Sequence, residues 1–264
     1  MNDKFWIILI SIVLIIAFAI DYKLDKVNSR QEDLLTTIKN RGHIIVGVKT
    51  DTKPFGYIDK GKNVGFDIDL AKCITKDILH DENKVVFVPV TTANRLLKLN
   101  SGKVDIIIAT MTATNKRGNI IDFSRPYFVA GQAILVKSNT RINSLSDIEN
   151  NNIGVLFGST AEDNIRLLLP SANIIGFKTY NDAYKALKNN EIVAITSDDT
   201  ILRHFALTDP TVKMLKKRYT KEYYAIGVRK DNESKILLKV INMNIDNMIK
   251  HDTFIHLNRK WKLN

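Results

Sequence analysis

The chain opens with an apolar block and then settles into an alternation of short apolar runs and amphipathic stretches. Phe5 to Ile20 carries Ser11 as its lone polar residue, Lys4 stands before it, and charge returns at Asp21. A spanning helix takes roughly 20 apolar residues, so the block is short for one, while Ala17-Phe18-Ala19 offers a small-x-small cleavage pattern. We read 1–20 as an export signal cleaved near Ala19 or, uncleaved, as an N-terminal anchor; either places the remainder on the periplasmic side. Residues 21–40 are polar with weak helical spacing (Leu34, Leu35, Ile38) and are expected to act as a spacer.

Beyond that point strands and helices alternate. "HIIVGV" reads as a strand, followed by a polar loop punctuated by Pro54, Gly56, Gly61 and Gly65, which reads as turns. A helix is predicted over about 67–79, with Phe66, Leu70, Cys73 or Ile74, and Ile78 on one face. "KVVFVPV" is a strand, "TTANRLLKLNSG" a short helix closed by Gly102, and "VDIIIAT" a third strand. After Phe128 the grammar restarts: "QAILVKS", "NIGVLFGS", "IIGF" and "EIVAITS" are strands. They are separated by a short helix at "INSLSDIEN", one opening at Thr160, and one at "TYNDAYKALKNN", where Thr179-x-x-Asp182 suits a capping box; helix "DTILRHFAL" completes the unit. "YYAIGVRK" is a last strand before a long helix over about 233–250 and the tail "FIHLNRKWKLN". The pattern predicts an α/β protein with parallel strands in two lobes, 41–128 together with 224–264 and, between them, 129–223.

Composition changes this picture little. Hydrophobic residues make up 45% of the chain, enough for a packed core. The net charge of +11 is spread over scattered lysines, with Lys216-Lys217-Arg218 the densest cluster, so nucleic acid is not an expected partner. Cys73 is the single cysteine; it has no disulfide partner, lies on a helical pattern and reads as a small buried hydrophobe.

Candidate chemistry follows from position. In open α/β sheets ligands collect beyond the carboxyl ends of the strands. Those ends present Asp51, Phe55 and Tyr57 after the first strand, Thr92 and Arg95 after the second, and Thr110, Thr112 and Arg117 after the third. The second unit adds Ser159 and Thr160 at a helix start and Asp198 at a strand end. The set suits a zwitterion. A carboxylate takes a guanidinium such as Arg117 together with helix N–H donors, and an ammonium takes a carboxylate such as Asp198. Phe55 would cover the apolar Cα side, and Arg95 would meet an acidic side chain.

Taken one at a time, each residue also fits a plainer role. Arg117 in "NKRGN" fits a solvated loop, Thr110 and Thr112 are ordinary strand formers, and Phe55 after Pro54 fits a core. Asp198 or Asp199 suits the N-cap of "TILRHF", and Arg95 on a helix is by default solvent-facing. The five histidines, His43, His80, His204, His251 and His256, lie away from the strand ends, without metal spacing or a Ser-His-Asp arrangement, so neither a metal nor a cofactor nor a catalytic residue is expected.

"VGFDIDLA" (64–71), "TMTATNKR" (110–117), "IDFSRPYF" (121–128), Gly158-Ser159-Thr160 and the strand end 194–198 occur in an order and spacing that resemble the bacterial periplasmic amino-acid-binding proteins, the solute-binding family 3 of polar amino-acid ABC transporters. The resemblance covers about 41–261. It implies a type II periplasmic-binding fold, two lobes joined by a two-crossover hinge and closing over one amino acid, acting as a monomer with a membrane-embedded ABC permease as partner. Arg117 would hold the ligand α-carboxylate with Thr112 and the Thr110 backbone, Ser159 and Thr160 would add donors, and Asp198 would take the α-ammonium. Asp51 and Phe55 would line the first-lobe wall. "TTANR" is similar to the "TSANR" of acidic amino-acid binders, which points through Thr92 and Arg95 to glutamate or aspartate, with glutamine an alternative; Leu156 departs from a polar contact in some members. An enzyme on the same fold, a dehydratase with Asp51 as general acid, and a membrane-tethered sensor module are the other classes the fold admits.

Overall fold

The computed structural model describes residues 14–19 and 32–263. The expected export signal or anchor lies outside the described residues except for 14–19, and so does most of the expected spacer. The last part of that spacer is not one. Leu34–Arg41 forms helix α1, capped by Asp33, whose Oδ1 accepts the Thr36 N–H at 3.1 Å, and ended by Gly42 in the left-handed region. Its Leu34 and Ile38, four apart on one face, are buried in the first lobe.

Two five-stranded sheets carry the two lobes. The first is built from β1 (Ile44–Val48), β5 (Val85–Pro89), β6 (Ile106–Ile107), β7 (Ile121–Ala130) and the late strand β13 (Glu222–Arg229), in the order β5-β1-β6-β13-β7. Its connections are α2 (Phe66–Leu79), α3 (Arg95–Asn100) and the short α4 (Asn115–Gly118), with α8 (Lys235–Lys250) packed on it and α9 (Thr253–Lys260) lying against α2 and α8. Where the sequence reads as turns, a small antiparallel meander forms from β2 (Asp51–Thr52), β3 (Gly56–Asp59) and β4 (Lys62–Val64). These strands are too short for alternation to reveal. Gly65 closes the meander under α2 at φ +132°, where a Cβ would lie 2.0 Å from the Phe55 carbonyl oxygen, so only glycine fits.

The second sheet runs β10-β9-β11-β8-β12, from β8 (Gln132–Lys137), β9 (Asn152–Leu156), β10 (Asn173–Phe177), β11 (Ala194–Asp198) and β12 (Val212–Met214). Helices α5 (Thr160–Leu168), α6 (Tyr180–Lys188) and α7 (Asp199–Thr208) connect it. Thr179 caps α6 as expected, accepting the Asp182 N–H at 3.1 Å.

Both sheets follow one plan: three parallel strands flanked by an antiparallel pair. The expectation of parallel strands therefore holds for β5-β1-β6 and β10-β9-β11 and fails for the strands next to each crossover. The chain passes between lobes twice, from β7 into β8 and from β12 back into β13. β7 and β13 pair from Ile121–Arg229 to Ala130–Glu222, so the crossings lie side by side. Pro126, which has no N–H to give the ladder, sits at a register shift in that pairing.

A large core fills one face of the first sheet, with Ile44, Val46, Val48, Ile241 and Ile245 fully buried; truncating such a residue to alanine costs about 2–5 kcal/mol. The tail is pinned to it, as Trp261 Nε1 donates to Asp69 Oδ2 at 2.7 Å and Lys260 Nζ lies 2.7 Å from the same carboxylate. Among the described residues no helix is long and apolar enough to cross a membrane.

Candidate functional site

The carboxyl ends of β1, β5 and β6 face those of β9 and β11 across the cleft between the lobes. On the first-lobe side the helix after β5 starts with a reciprocal turn: Asn94 Oδ1 accepts the Thr91 N–H at 2.8 Å, and Thr91 Oγ1 accepts the Asn94 N–H at 3.1 Å. This sets Arg95 in the first turn of α3 and aims its side chain inward. Arg95 is 3% exposed, not solvent-facing, and its NH1 donates to the carbonyls of Ala109 (2.6 Å) and Thr110 (3.3 Å). Burial and then the neighbouring Arg117 guanidinium both work against its charge, partly offset by Asp198.

Thr110 explains why β6 stops short. Its φ is +45°, a left-handed backbone that a β-branched residue adopts only when its surroundings impose it, at about 1–3 kcal/mol. The chain thereby leaves the strand and runs on through Thr112, which bridges to Tyr224 of β13. Thr114 then caps α4, accepting the Arg117 N–H at 3.2 Å. The Arg117 guanidinium is buried and spans the cleft, with NH1 donating to the Thr112 carbonyl at 2.8 Å and NH2 to the Gly158 carbonyl of the second lobe at 3.0 Å. Burial lowers its pKa, and Asp198 and Glu222 oppose the shift.

Opposite lies the start of α5. Gly158 turns the chain at φ +74°, and Ser159 caps the helix, accepting the Glu162 N–H at 3.3 Å. Thr160 and Ala161 follow as its first residues, where helix N–H groups lack partners within the helix and attract anions. At the end of β11, Asp198 occupies the N-cap position of α7 but makes no side-chain cap bond; its Oδ2 accepts a hydrogen bond from the Tyr224 hydroxyl. Burial, together with Glu222 and Asp199, raises its pKa to about 7 against the Tyr224 bond. Asp199 instead binds the chain at the crossing: its Oδ1 accepts the Gly131 N–H at 3.1 Å, and Arg218 pairs with its other oxygen.

Thr92, Arg95, Thr110 and Thr112 thus share one cavity with Ser159, Thr160 and Asp198. It measures about 20 Å³ and adjoins, through Ser159 and Thr160, a wider mouth of about 370 Å³ where Arg117 lies. Two of the expected residues are elsewhere. Phe55 is fully buried in an aromatic cluster, 5.1 Å from the Phe128 ring, 5.4 Å from Tyr224 and 5.8 Å from Phe66, so it is a core residue behind the site rather than its wall. Asp51 faces a neighbouring cavity with Tyr57 and His204.

Three residues that sequence reasoning missed join the site. Lys49, 1% exposed, points its Nζ at Asp51 Oδ1 (3.1 Å) and Thr92 Oγ1 (3.3 Å) and lies 5.6 Å from the Tyr180 ring centre. Burial lowers its pKa and Asp51 opposes the change. A lysine just past a strand ordinarily reads as surface, and no sequence signal separates the two. Tyr180 and Ser197 line the cavity from the second lobe, their hydroxyls 2.8 Å apart. Ser197 immediately precedes Asp198, so the strand-end search had the signal for it.

The site therefore places two guanidiniums and a lysine on one lobe and a carboxylate with a helix start on the other. No group of carboxylates, histidines or cysteines among the described residues is arranged to hold a metal ion.

Comparison with known proteins agrees in kind. Residues 44–264 match the family model described as bacterial extracellular solute-binding proteins, family 3. The chain is 42% identical over 203 residues to a glutamine-binding protein of Geobacillus stearothermophilus, covering 76% of this chain and 78% of that one. It is 38% identical over 234 residues to the ABC transporter glutamine-binding protein GlnH of Bacillus subtilis, covering 88% and 85%. The crystal structure of a cysteine-binding protein from Campylobacter jejuni superposes with a TM-score of 0.83 at 32% identity, covering 87% of this chain and 92% of that one.

Proposed function

The chain belongs to the bacterial extracellular solute-binding proteins of family 3, and on that premise we propose that it captures L-glutamine between its lobes and delivers it, as a monomer, to a membrane-embedded ABC permease from the periplasmic side. Amino-acid binding for ABC transport is the work of its relatives. The choice of ligand rests on one observation: a buried cavity with a guanidinium and a helix start at one end, a carboxylate opposite, and a further buried arginine and lysine beyond.

In this reading the α-carboxylate lies on Arg117, Thr112, the Thr110 backbone and the start of α5 at Ser159 and Thr160. The α-ammonium lies on Asp198, and the side chain extends toward Thr92, Arg95 and Lys49. Lys49 is already matched by Asp51 at 3.1 Å and Arg95 NH1 is taken up by the carbonyls of Ala109 and Thr110, so the far end offers the remaining donors of one guanidinium. That suits a carboxamide oxygen, as do the two glutamine-binding relatives. Glutamate is the second reading, supported by Arg95 in "TTANR". The dehydratase reading gains nothing from Asp51, which is paired with Lys49 outside the cavity. A cavity of about 20 Å³ is smaller than an amino acid, so entry parts the lobes and breaks the Arg117–Gly158 bond.

Calorimetric titration of the purified protein with each of the twenty amino acids tests the reading. Glutamine binding about tenfold or more tighter than glutamate supports it. The reverse order restores the acidic ligand, and no heat with any amino acid overturns the receptor reading itself.

A further inference from the structure

We infer that Asp67, which lies behind the cleft and does not itself line the cavity, is the positioning residue that fixes the first-lobe half of the site, through the backbone of Thr110. Asp67 is the second residue of α2 and is fully buried. Its Oδ2 accepts the Thr110 N–H at 2.9 Å and its Oδ1 accepts the Tyr127 hydroxyl at 2.9 Å, joining three segments far apart in sequence. Beyond these two donors only the attraction of the Arg95 guanidinium offsets its burial, and burial prevails. A buried charge of this kind is weak support for stability against an apolar side chain of equal size, so its use is sought in what it holds still.

What it holds is the strained residue. Thr110 at φ +45° turns the carbonyls of Ala109 and Thr110 together onto Arg95 NH1. The amide fixed by Asp67 and the carbonyl fixed by Arg95 belong to the same residue, so the turn is gripped from both sides. Without an acceptor for the buried Thr110 N–H, the residue relaxes toward ordinary backbone angles, and both the carbonyl pair and Arg95 lose their setting. Tyr127 shares the carboxylate, and its hydroxyl also lies against the Thr110 backbone, but the Thr110 N–H has Asp67 Oδ2 as its acceptor at 2.9 Å, so the hydroxyl matters more for packing than for the site.

The inference rests on the amino-acid-binding reading above, and its test separates the two. The ligand is whichever amino acid the parent binds in titration; a parent that binds none sinks that reading, whereas altered variants of a binding parent address this one. Asp67→Ala is expected to weaken binding by about tenfold or more under conditions where it is folded. Asp67→Asn is expected to rescue it to within about threefold, because its amide oxygen still accepts from Thr110 while its NH2 donates to the Tyr127 oxygen. Tyr127→Phe is expected to lower the melting temperature while keeping affinity within about threefold. Affinity in Asp67→Ala equal to the parent, or equal loss in Tyr127→Phe, overturns the inference by making the carboxylate a packing element only, and failure of the asparagine to rescue overturns it by assigning the effect to charge rather than to the Thr110 grip. If the alanine variant does not fold, amide exchange in the ligand-free parent decides: a strongly protected Thr110 N–H supports the grip, and exchange at the rate of an open loop overturns it.

Discussion

On the first lobe the site is a strand end gripped from behind by buried side chains, whereas on the second it is the start of a helix capped by a serine. Arg95, Thr110 and Arg117 are each tied through side-chain or backbone bonds to residues far along the chain. Ser159 and Thr160 are held mainly by the local geometry of α5 and by Gly158. The difference teaches a division of labour. The first lobe supplies fixed charges, whose burial has to be compensated by a long-range network, and the second supplies backbone dipoles that a helix provides with no such network.

The comparison is broken most sharply by a pair of substitutions. Arg117→Ala removes a buried charge from the first lobe and is expected to weaken ligand binding about a hundredfold or more by calorimetry. Ser159→Ala removes the cap hydroxyl while leaving the helix N–H groups in place, and is expected to cost about 1 kcal/mol of stability with affinity changed less than about fivefold. Comparable losses of affinity in the two would mean that the second lobe anchors as firmly as the first.

Acidity probes the charged group that the second lobe gives the cavity, Asp198. The Asp198 carboxyl of the free protein ionises at about 7, and the ligand ammonium needs its ionised form. Affinity is therefore expected to fall below pH 7, approaching about tenfold per pH unit, with release of up to one proton on binding read from titrations in buffers of different ionisation enthalpy. The free protein moves the other way. Asp67 and Asp198 both have folded pKa values raised by burial to about 7, so their contribution to stability is fully present below the unfolded value near 4 and is lost as pH rises through about 7. A melting temperature and an affinity that rise together from pH 5 to 8 would contradict this assignment. The smallest effect is expected at the mouth, where exposed Lys116 meets Asp163 of the second lobe at 3.2 Å. Lys116→Ala is expected to change affinity by less than about threefold, and the change to vanish in high salt.

Much of this site was legible as a list of strand ends, because position beyond a parallel strand is a property of order along the chain. Seven of the ten expected residues share the cavity and Arg117 lines its mouth, while Phe55 and Asp51 do not. A proline-phenylalanine pair in a loop looks the same whether the ring covers a ligand or fills a core, and only the rings of Phe66, Phe128 and Tyr224 decide. Lys49 and Asp67 were missed for the opposite reason. Charged residues beside a strand or in a first helical turn normally face water, and their partners here lie across other elements. In the fold, the α/β alternation was legible, while the antiparallel strands were not, because β13 enters the first sheet only after the whole second lobe has been traversed.

That late insertion also sets an order of assembly. The second lobe is one continuous segment whose sheet is complete once β12 is made. The first sheet has a gap between β6 and β7 that only β13 fills, so β7 stands as an unpaired edge throughout the synthesis of the lobe that follows it. The crossing strands that let the lobes hinge in the finished protein thus leave the earlier half of the chain to be completed last.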